Sequence, residues 1–226
     1  MVSISLDAVI SSPQGTFNLQ GIRSVSKQLD ELAGSAYYHL IVVVGASGAS
    51  RPYIDVAKKF EKRKGVLDKL AIEVSKANAM VLIASLQARN ARVFPRPLAN
   101  LKELGDDWLD DNSGMIVVFC GFSPGLSSNS TAALIAKKFR CPLVIATTNS
   151  TKHSTHQHDI HRIDRAYLRA CLSEPSKGAN VLDAQTCNVL LEMPRGWSGA
   201  ISGYQKISEA IRHKGSNNVK IRRIQL

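Results

Sequence analysis

The sequence has no CxxC pair. Its four cysteines, Cys120, Cys141, Cys171 and Cys187, lie far apart, which argues against a zinc ribbon or a dithiol redox motif and fits ordinary core thiols in a reducing compartment. Aromatic residues are scarce, at 6%. That disfavours base stacking as a main mode of nucleic-acid binding, and neither an RNP-like platform nor a C2H2 pattern is found. No apolar run reaches the ~18 residues of a membrane span. The N-terminus enters a strand-like pattern without a basic segment and a signal-type apolar block. The expectation is a soluble, cytoplasmic protein with no membrane partner. Acidic residues are also in short supply, 18 against 29 Lys and Arg, for a net charge of +11. A surface of that sign favours phosphates, nucleotides or nucleic acid, and it also serves solubility alone.

What is present is a chain of 226 residues, 44% hydrophobic and 21% charged, enough to bury a core as one domain over 1–226. Strand-like and helix-like segments alternate, which points to an α/β fold with a largely parallel sheet. Residues 2–10 alternate like a strand, and 22–33 carry helical spacing through Ile22, Val25, Leu29 and Leu32. The run Tyr38 to Val44 reads as a strand buried on both faces, ending in the small-residue turn Gly45-Ala46-Ser47-Gly48 before a helix near Arg51-Pro52. Residues 66–86 read as one long helix with Leu67, Leu70, Val74, Ala77, Val81 and Ala84 on its apolar stripe. Met115 to Phe119 and Pro142 to Ala146 read as further strands. A helix should start near Asn129, residues 160–172 and 181–193 look helical, and 219–224 looks like a basic edge strand.

A strand, a glycine-bearing turn and a helix set backbone N–H groups and a helix dipole against an anion. The neighbouring sequence makes that signal specific. Val42 to Phe60 (VVVGASGASRPYIDVAKKF) is similar to the archaeal UMP kinase segment in which V-V-V-G-G-G leads to an Arg and then Y-I-x-V-A. Leu67 to Leu86 (LDKLAIEVSKANAMVLIASL) resembles that family's D-x-x-G-I-x-x-T-R-x-N-A-M-L-L-I-A-A-L. Gly121 to Ala133 (GFSPGLSSNSTAA) stands where the family has G-T-H-P-G-H-T-T-D-A-V-A-A, and Val181-Leu182-Asp183 matches its V-I-D. The chain thus resembles the UMP kinases of the amino-acid-kinase superfamily from its first strand to about residue 213.

The resemblance implies a three-layer α/β sandwich with a mostly parallel central sheet, and a ligand cleft at the carboxyl ends of its strands. It also implies transfer of the ATP γ-phosphoryl group to UMP with Mg²⁺, and a homo-oligomer (a dimer or hexamer), or a hetero-oligomer with a paralogue, with the 66–86 helix near the dimer contact. Such catalysis rests on donors and cations that hold the phosphates in line. On the acceptor side the resemblance carries over Gly45 for close backbone approach and Arg51 for the acceptor phosphate. Asp68 falls on the acid for the ribose hydroxyls, with Asn78 and Ser128 also fitting, Ser128 near the acceptor base.

Other family positions are changed. The Gly-Gly-Ser closing the first strand reads Asp7-Ala8-Val9, which puts a carboxylate and Cβ atoms where a polyphosphate would lie. T-T-D reads Ser127-Ser128-Asn129, removing a site charge. The threonine of G-T-H-P-G is Phe122, which with Leu126 narrows the acceptor pocket. The N-V-D-G-V-Y on the ATP base side reads Asn149 to Ser154, including Thr151, and Ala46 and Ala71 replace two glycines. These changes favour a catalytically degenerate, nucleotide- or anion-binding, regulatory or assembly subunit. The alternatives are an active ATP-dependent UMP kinase with replacement groups such as Lys27 or Lys152, and a metal or nucleic-acid binder that reuses the fold.

Three segments stand apart from that pattern. His153, His156, His158 and His161 have spacing that suits zinc, nickel or copper, or form a plain polar loop. The C-terminal Lys206, Arg212, Lys214, Lys220, Arg222 and Arg223 would meet nucleic-acid phosphates, or would protect a solvated strand edge. Gly105 to Asp111 is a short acidic patch around Trp108, read as an exposed loop.

Overall fold

The computed structural model describes residues 1–6, 9–10, 15–35, 39–104, 114–147, 162–173, 182–212 and 222–225, with 162–163 and 222–225 described by backbone alone. Five strands run parallel: β1 (Val2–Leu6), β2 (Leu40–Val44), β3 (Ile116–Phe119), β4 (Leu143–Thr147) and β6 (Ser198–Gly203). The short β5 (Arg162–Ile163) and β7 (Arg222–Gln225) extend the same sheet, in the order β3-β2-β1-β4-β6-β7-β5, with β7 antiparallel to β6. β7 therefore lies between β6 and β5. It is not the edge strand expected from its charge, because the two-residue β5 covers its outer side.

Helices cover both faces. α1 (Leu19–Gly34), α3 (Lys64–Gln87) and α7 (Ile207–Arg212) lie on one. α4 (Ser128–Lys138), α5 (Arg165–Ser173) and α6 (Ala184–Leu191) lie on the other, and the short α2 (Arg51–Ala57) packs on α3. The two cores follow from the strand period of two. In β2, Leu40, Val42 and Val44 join the α1/α3 core, and Ile41 and Val43 the α4/α6 core. β1 keeps Val2, Ile4 and Leu6 on the first face, with Ser3 and Ser5 on the second. These two small hydroxyls are buried under α4, where Ser3 Oγ donates to the Ala132 carbonyl and Ser5 Oγ to Asn129 Oδ1, at 2.9 and 2.7 Å.

α1 begins where Asn18 accepts from the Gly21 N–H at 2.9 Å, satisfying one open donor of the first turn. It buries Ile22, Val25, Leu29 and Leu32 as the spacing predicts. α3 differs. Its buried residues are Ser75, Asn78, Ala79, Leu82, Ile83 and Leu86, whereas Ala77 and Ala84 are exposed and Leu67, Leu70, Val74 and Val81 half-buried. Its hydrophobic residues are spread widely round the helix, and the buried face sits one residue on from the expected stripe. By length and composition α3 also suffices to cross a membrane. In the fold it packs on α1 and on β2 and β3.

The segment expected to be helical over 160–172 holds β5 before α5, and α6 is the shorter core of the helix expected over 181–193.

Candidate functional site

A cavity of about 350 Å³ opens beyond the carboxyl ends of β2 and β3. Three pieces of chain build it, and each has a local reason for its shape. The first is the turn Gly45–Ser47, which ends β2 and leads through the 3-10 turn Ser47–Ser50 into α2. Ser47 has φ 49°, a left-handed conformation that a serine tolerates only when its surroundings hold it there. The buried Asn78 supplies part of that hold: its Nδ2 donates to the Gly45 and Ala46 carbonyls at 3.0 and 3.1 Å. At Gly45 a side chain would be tightly placed, since a Cβ would stand 3.0 Å from Ser128 Oγ and 3.2 Å from Ser128 Cβ.

The second piece is the N-terminal half of α3. Lys64, Asp68, Ala71, Ile72 and Ser75 line the cavity at spacings that place them on one helical face. At its inner end Ser75 Oγ accepts from the Gly121 N–H at 2.9 Å and donates to the Ile72 carbonyl at 2.7 Å, tying the helix to the exit of β3.

The third piece is the segment from Gly121 to Ser128, which delivers the N-terminus of α4. Ser127 caps that helix reciprocally. Its Oγ accepts from the Ser130 N–H at 3.0 Å and its own N–H donates to Ser130 Oγ at 2.8 Å, a capping box made with serine in place of Glu or Gln. Ser127 Oγ also donates to Asp183 Oδ2 at 2.6 Å. Asp183 in turn caps α6, accepting from the Thr186 N–H at 2.9 Å and from Thr186 Oγ1 at 2.7 Å. The two helix starts are thereby fixed to one another.

Of the residues expected on the acceptor side, Gly45, Asp68 and Ser128 line this cavity, as do Ala46 and Ala71. Asn78 stands behind it and positions the turn. Arg51 opens α2, is exposed, and is not a lining residue. Leu126 lines the cavity, whereas Phe122 packs against the α4/α6 core. Asn129 is buried with its side-chain oxygen taken up by Ser5. Asp7, Ala8, Thr151 and the four histidines at 153, 156, 158 and 161 lie outside the described residues. Sequence reasoning missed Lys64, Ser47, Ile72, Ser75 and Ser123. The signal available for three of them was the i, i+4, i+8, i+11 spacing of Lys64, Asp68, Ile72 and Ser75.

The cavity is polar but sparsely charged: Lys64 and Asp68 are its only ionisable lining residues among those described. A small-residue turn and a helix N-terminus border the same space, the kind of arrangement in which backbone N–H groups receive anions. The cysteines are elsewhere. Burial pushes the Cys141 thiol to about 11, that of Cys187 to about 12, and that of Cys120 upward, so these are protonated packing groups. Among the described residues no cluster of three or more His, Cys, Asp or Glu is found.

A parallel α/β sandwich with small-residue turns and a helix N-terminus around a cleft at its strand ends is the architecture of anion- and nucleotide-binding α/β proteins. The amino acid kinase family model matches residues 7–190, and the chain belongs to that family, in its uridylate kinase branch. It is 35% identical over 127 residues to a uridylate kinase of Hyperthermus butylicus, an alignment covering 56% of this chain and 53% of the relative. To a uridylate kinase of Methanoregula boonei it is 31% identical over 166 residues, covering 69% and 67%. The chain spans about half the length of the first of these relatives. The crystal structure of a uridylate kinase from Archaeoglobus fulgidus shares the fold, with TM-score 0.74 and 19% identity over 95% of each chain.

Proposed function

We propose that this protein binds a nucleoside monophosphate such as UMP in the cavity between α3 and α4, and that it transfers phosphoryl groups weakly or not at all. One observation carries the second half of the reading. Where the resemblance calls for an aspartate at the start of α4, Asn129 is 4% exposed and its side-chain oxygen accepts the Ser5 proton at 2.7 Å. The residue has become a neutral structural bond between α4 and β1. It supplies neither charge nor a free oxygen to a transfer site.

Mg²⁺, which the family implies, finds few hard protein oxygens among the described residues, and the positions expected on the ATP side, Asp7, Ala8 and 149–154, lie outside them. Mg²⁺ demands hard, usually carboxylate oxygens. Among the described residues the one lining carboxylate is Asp68 on α3, and both oxygens of Asp183 already accept bonds from Ser127 and Thr186. Removing one preorganised charge-stabilising group typically costs about 10²–10³ in rate, which supports a binding, regulatory or assembly role. Calorimetry with UMP and with ATP tests the reading: UMP should bind the more tightly, and tight ATP binding with none for UMP would overturn it.

The reading extends to self-association. Tyr53 and Val56 on α2 and Phe60 just beyond it are 60%, 58% and 85% exposed, and Val66 and Met80 on α3 are exposed as well. An apolar surface of this kind is what a protein–protein contact covers. Light scattering should give a dimer or larger species, and a strict monomer would remove this part alone.

A further inference from the structure

Among its described lining residues the cavity has one basic side chain, Lys64, which the family resemblance does not assign. Lys64 is the first residue of α3 and lines the space together with Asp68 one helical turn further in. Ser75, which holds the Gly121 N–H near the end of β3, marks the inner end of the same wall. Eleven residues of helix separate Ser75 from Lys64, about 16 Å at the usual rise, so Lys64 stands at the mouth. Lys64 and Asp68 are i, i+4 neighbours, with Cβ atoms about 5–6 Å apart. Neither has a hydrogen-bond or ion-pair partner among the described residues. Two opposite charges therefore border one cavity without forming an ion pair.

We infer that Lys64 is a specificity-determining residue of this cavity, holding the phosphate of a ribose phosphate whose hydroxyls bond to Asp68. The chemistry follows from the pair. A carboxylate accepts from hydroxyls and repels a phosphate, while an ammonium attracts the phosphate as a point charge. Asp68 alone would select against the net charge of the ligand, and Lys64 one turn away offsets that repulsion. A 5′-phosphate leaves both the 2′- and 3′-hydroxyls for Asp68, whereas a 3′-phosphate leaves only the 2′-hydroxyl on that edge; both esters carry a phosphate for the cation to meet. The inference rests on the reading of this cavity as a nucleoside monophosphate site.

The test is calorimetric titration of the full chain with uridine 5′-phosphate, uridine 3′-phosphate, uridine and ribose 5-phosphate. It compares the unmodified protein with Lys64→Ala, Lys64→Arg and Lys59→Ala. Lys59 lies on the turn beyond α2, is exposed and does not line the cavity, so it controls for the general loss of one positive charge. Lys64→Ala should weaken one of the two uridine phosphates about tenfold or more, the usual worth of a hydrogen bond to a charged group, and leave uridine unchanged. Lys64→Arg should recover most of the loss, and Lys59→Ala should stay within about twofold. Which ester is affected tells which phosphate Lys64 holds. If both esters bind Lys64→Ala as tightly as the unmodified protein, the inference fails while the nucleotide reading stands. If ribose 5-phosphate binds as tightly as the uridine phosphates and Lys64→Ala weakens it, the inference stands and the nucleotide reading falls. Binding of none of these compounds overturns both.

Discussion

Asn78, deep in the middle of α3, donates to the Gly45 carbonyl at 3.0 Å and to the Ala46 carbonyl at 3.1 Å. An amide that sequence similarity places on the acceptor side thus acts on the backbone that lines the cavity. Its removal leaves two carbonyls of the turn without their donor. Asn78→Ala should lower stability by about 1–3 kcal/mol, measured as a reduced urea midpoint at unchanged slope. It should also weaken UMP binding through the displaced turn. An unchanged midpoint would mean that water replaces the amide.

Gly45 and Ser128 meet where the β2 turn packs against the start of α4. A methyl at 45 meets Ser128 Oγ and Cβ together, so removing the hydroxyl alone does not make room. Gly45→Ala should cost about 1–3 kcal/mol, as overpacking does. Ser128→Gly should offset part of that loss, giving a coupling of about 0.5–3 kcal/mol in a double-mutant cycle. Additive losses would show that the two do not meet.

Much of this architecture is legible in the sequence because the strands that build the site are continuous β-branched runs and the turns after them are built from small residues. Leu40 to Val44 and Ile116 to Phe119 are fully buried, and Gly45, Asp68 and Ser128 share one cavity. β6 was not legible. Its sequence, Ser-Gly-Ala-Ile-Ser-Gly, carries weak strand propensity because close packing selects small residues there. A Cβ at Gly199 would stand 2.7 Å from the Leu143 carbonyl and 3.0 Å from the Trp197 ring. The face of α3 was misplaced for a different reason. Ser75 and Asn78 are polar, and polar residues on an apolar helix read as outward. Here they turn inward because each bonds the backbone of a neighbouring turn. Arg51, assigned to the acceptor phosphate by similarity, opens α2 and is exposed.

Asp183 joins the starts of α4 and α6 through Ser127 and Thr186. Asp183→Ala removes a helix cap and the acceptor for Ser127. It should cost about 2–4 kcal/mol, the cap contributing about 1 and the lost charged hydrogen bonds the remainder. Asp183→Asn keeps one acceptor oxygen and should cost less. Thermal denaturation of both variants decides the order, and an equal loss would show that the carboxylate charge is what matters.

The Arg96 guanidinium, hydrogen-bonded to Glu103 at 2.5 Å, holds the Glu103 carboxyl below its ordinary value of 4.5. A depressed folded value means that the pair stabilises the fold above about pH 4.5 and that this contribution is lost as pH falls through the lowered value. Both groups are partly exposed, so the effect is small, about 0.2–1 kcal/mol. Glu103→Gln should lower stability at pH 7, with the difference from the parent vanishing in acid. A difference that grows as pH falls would contradict the assignment.

Phosphoryl transfer is the most direct measure of whether this chain has exchanged catalysis for binding. Steady-state turnover should be followed with ATP, Mg²⁺ and each nucleoside monophosphate, on protein shown by calorimetry to bind UMP. With Asn129 bonded to Ser5 at 2.7 Å and no charge at that position, UMP should bind without measurable phosphorylation. Turnover within the usual kinase range of about 1–100 s⁻¹ would contradict the account.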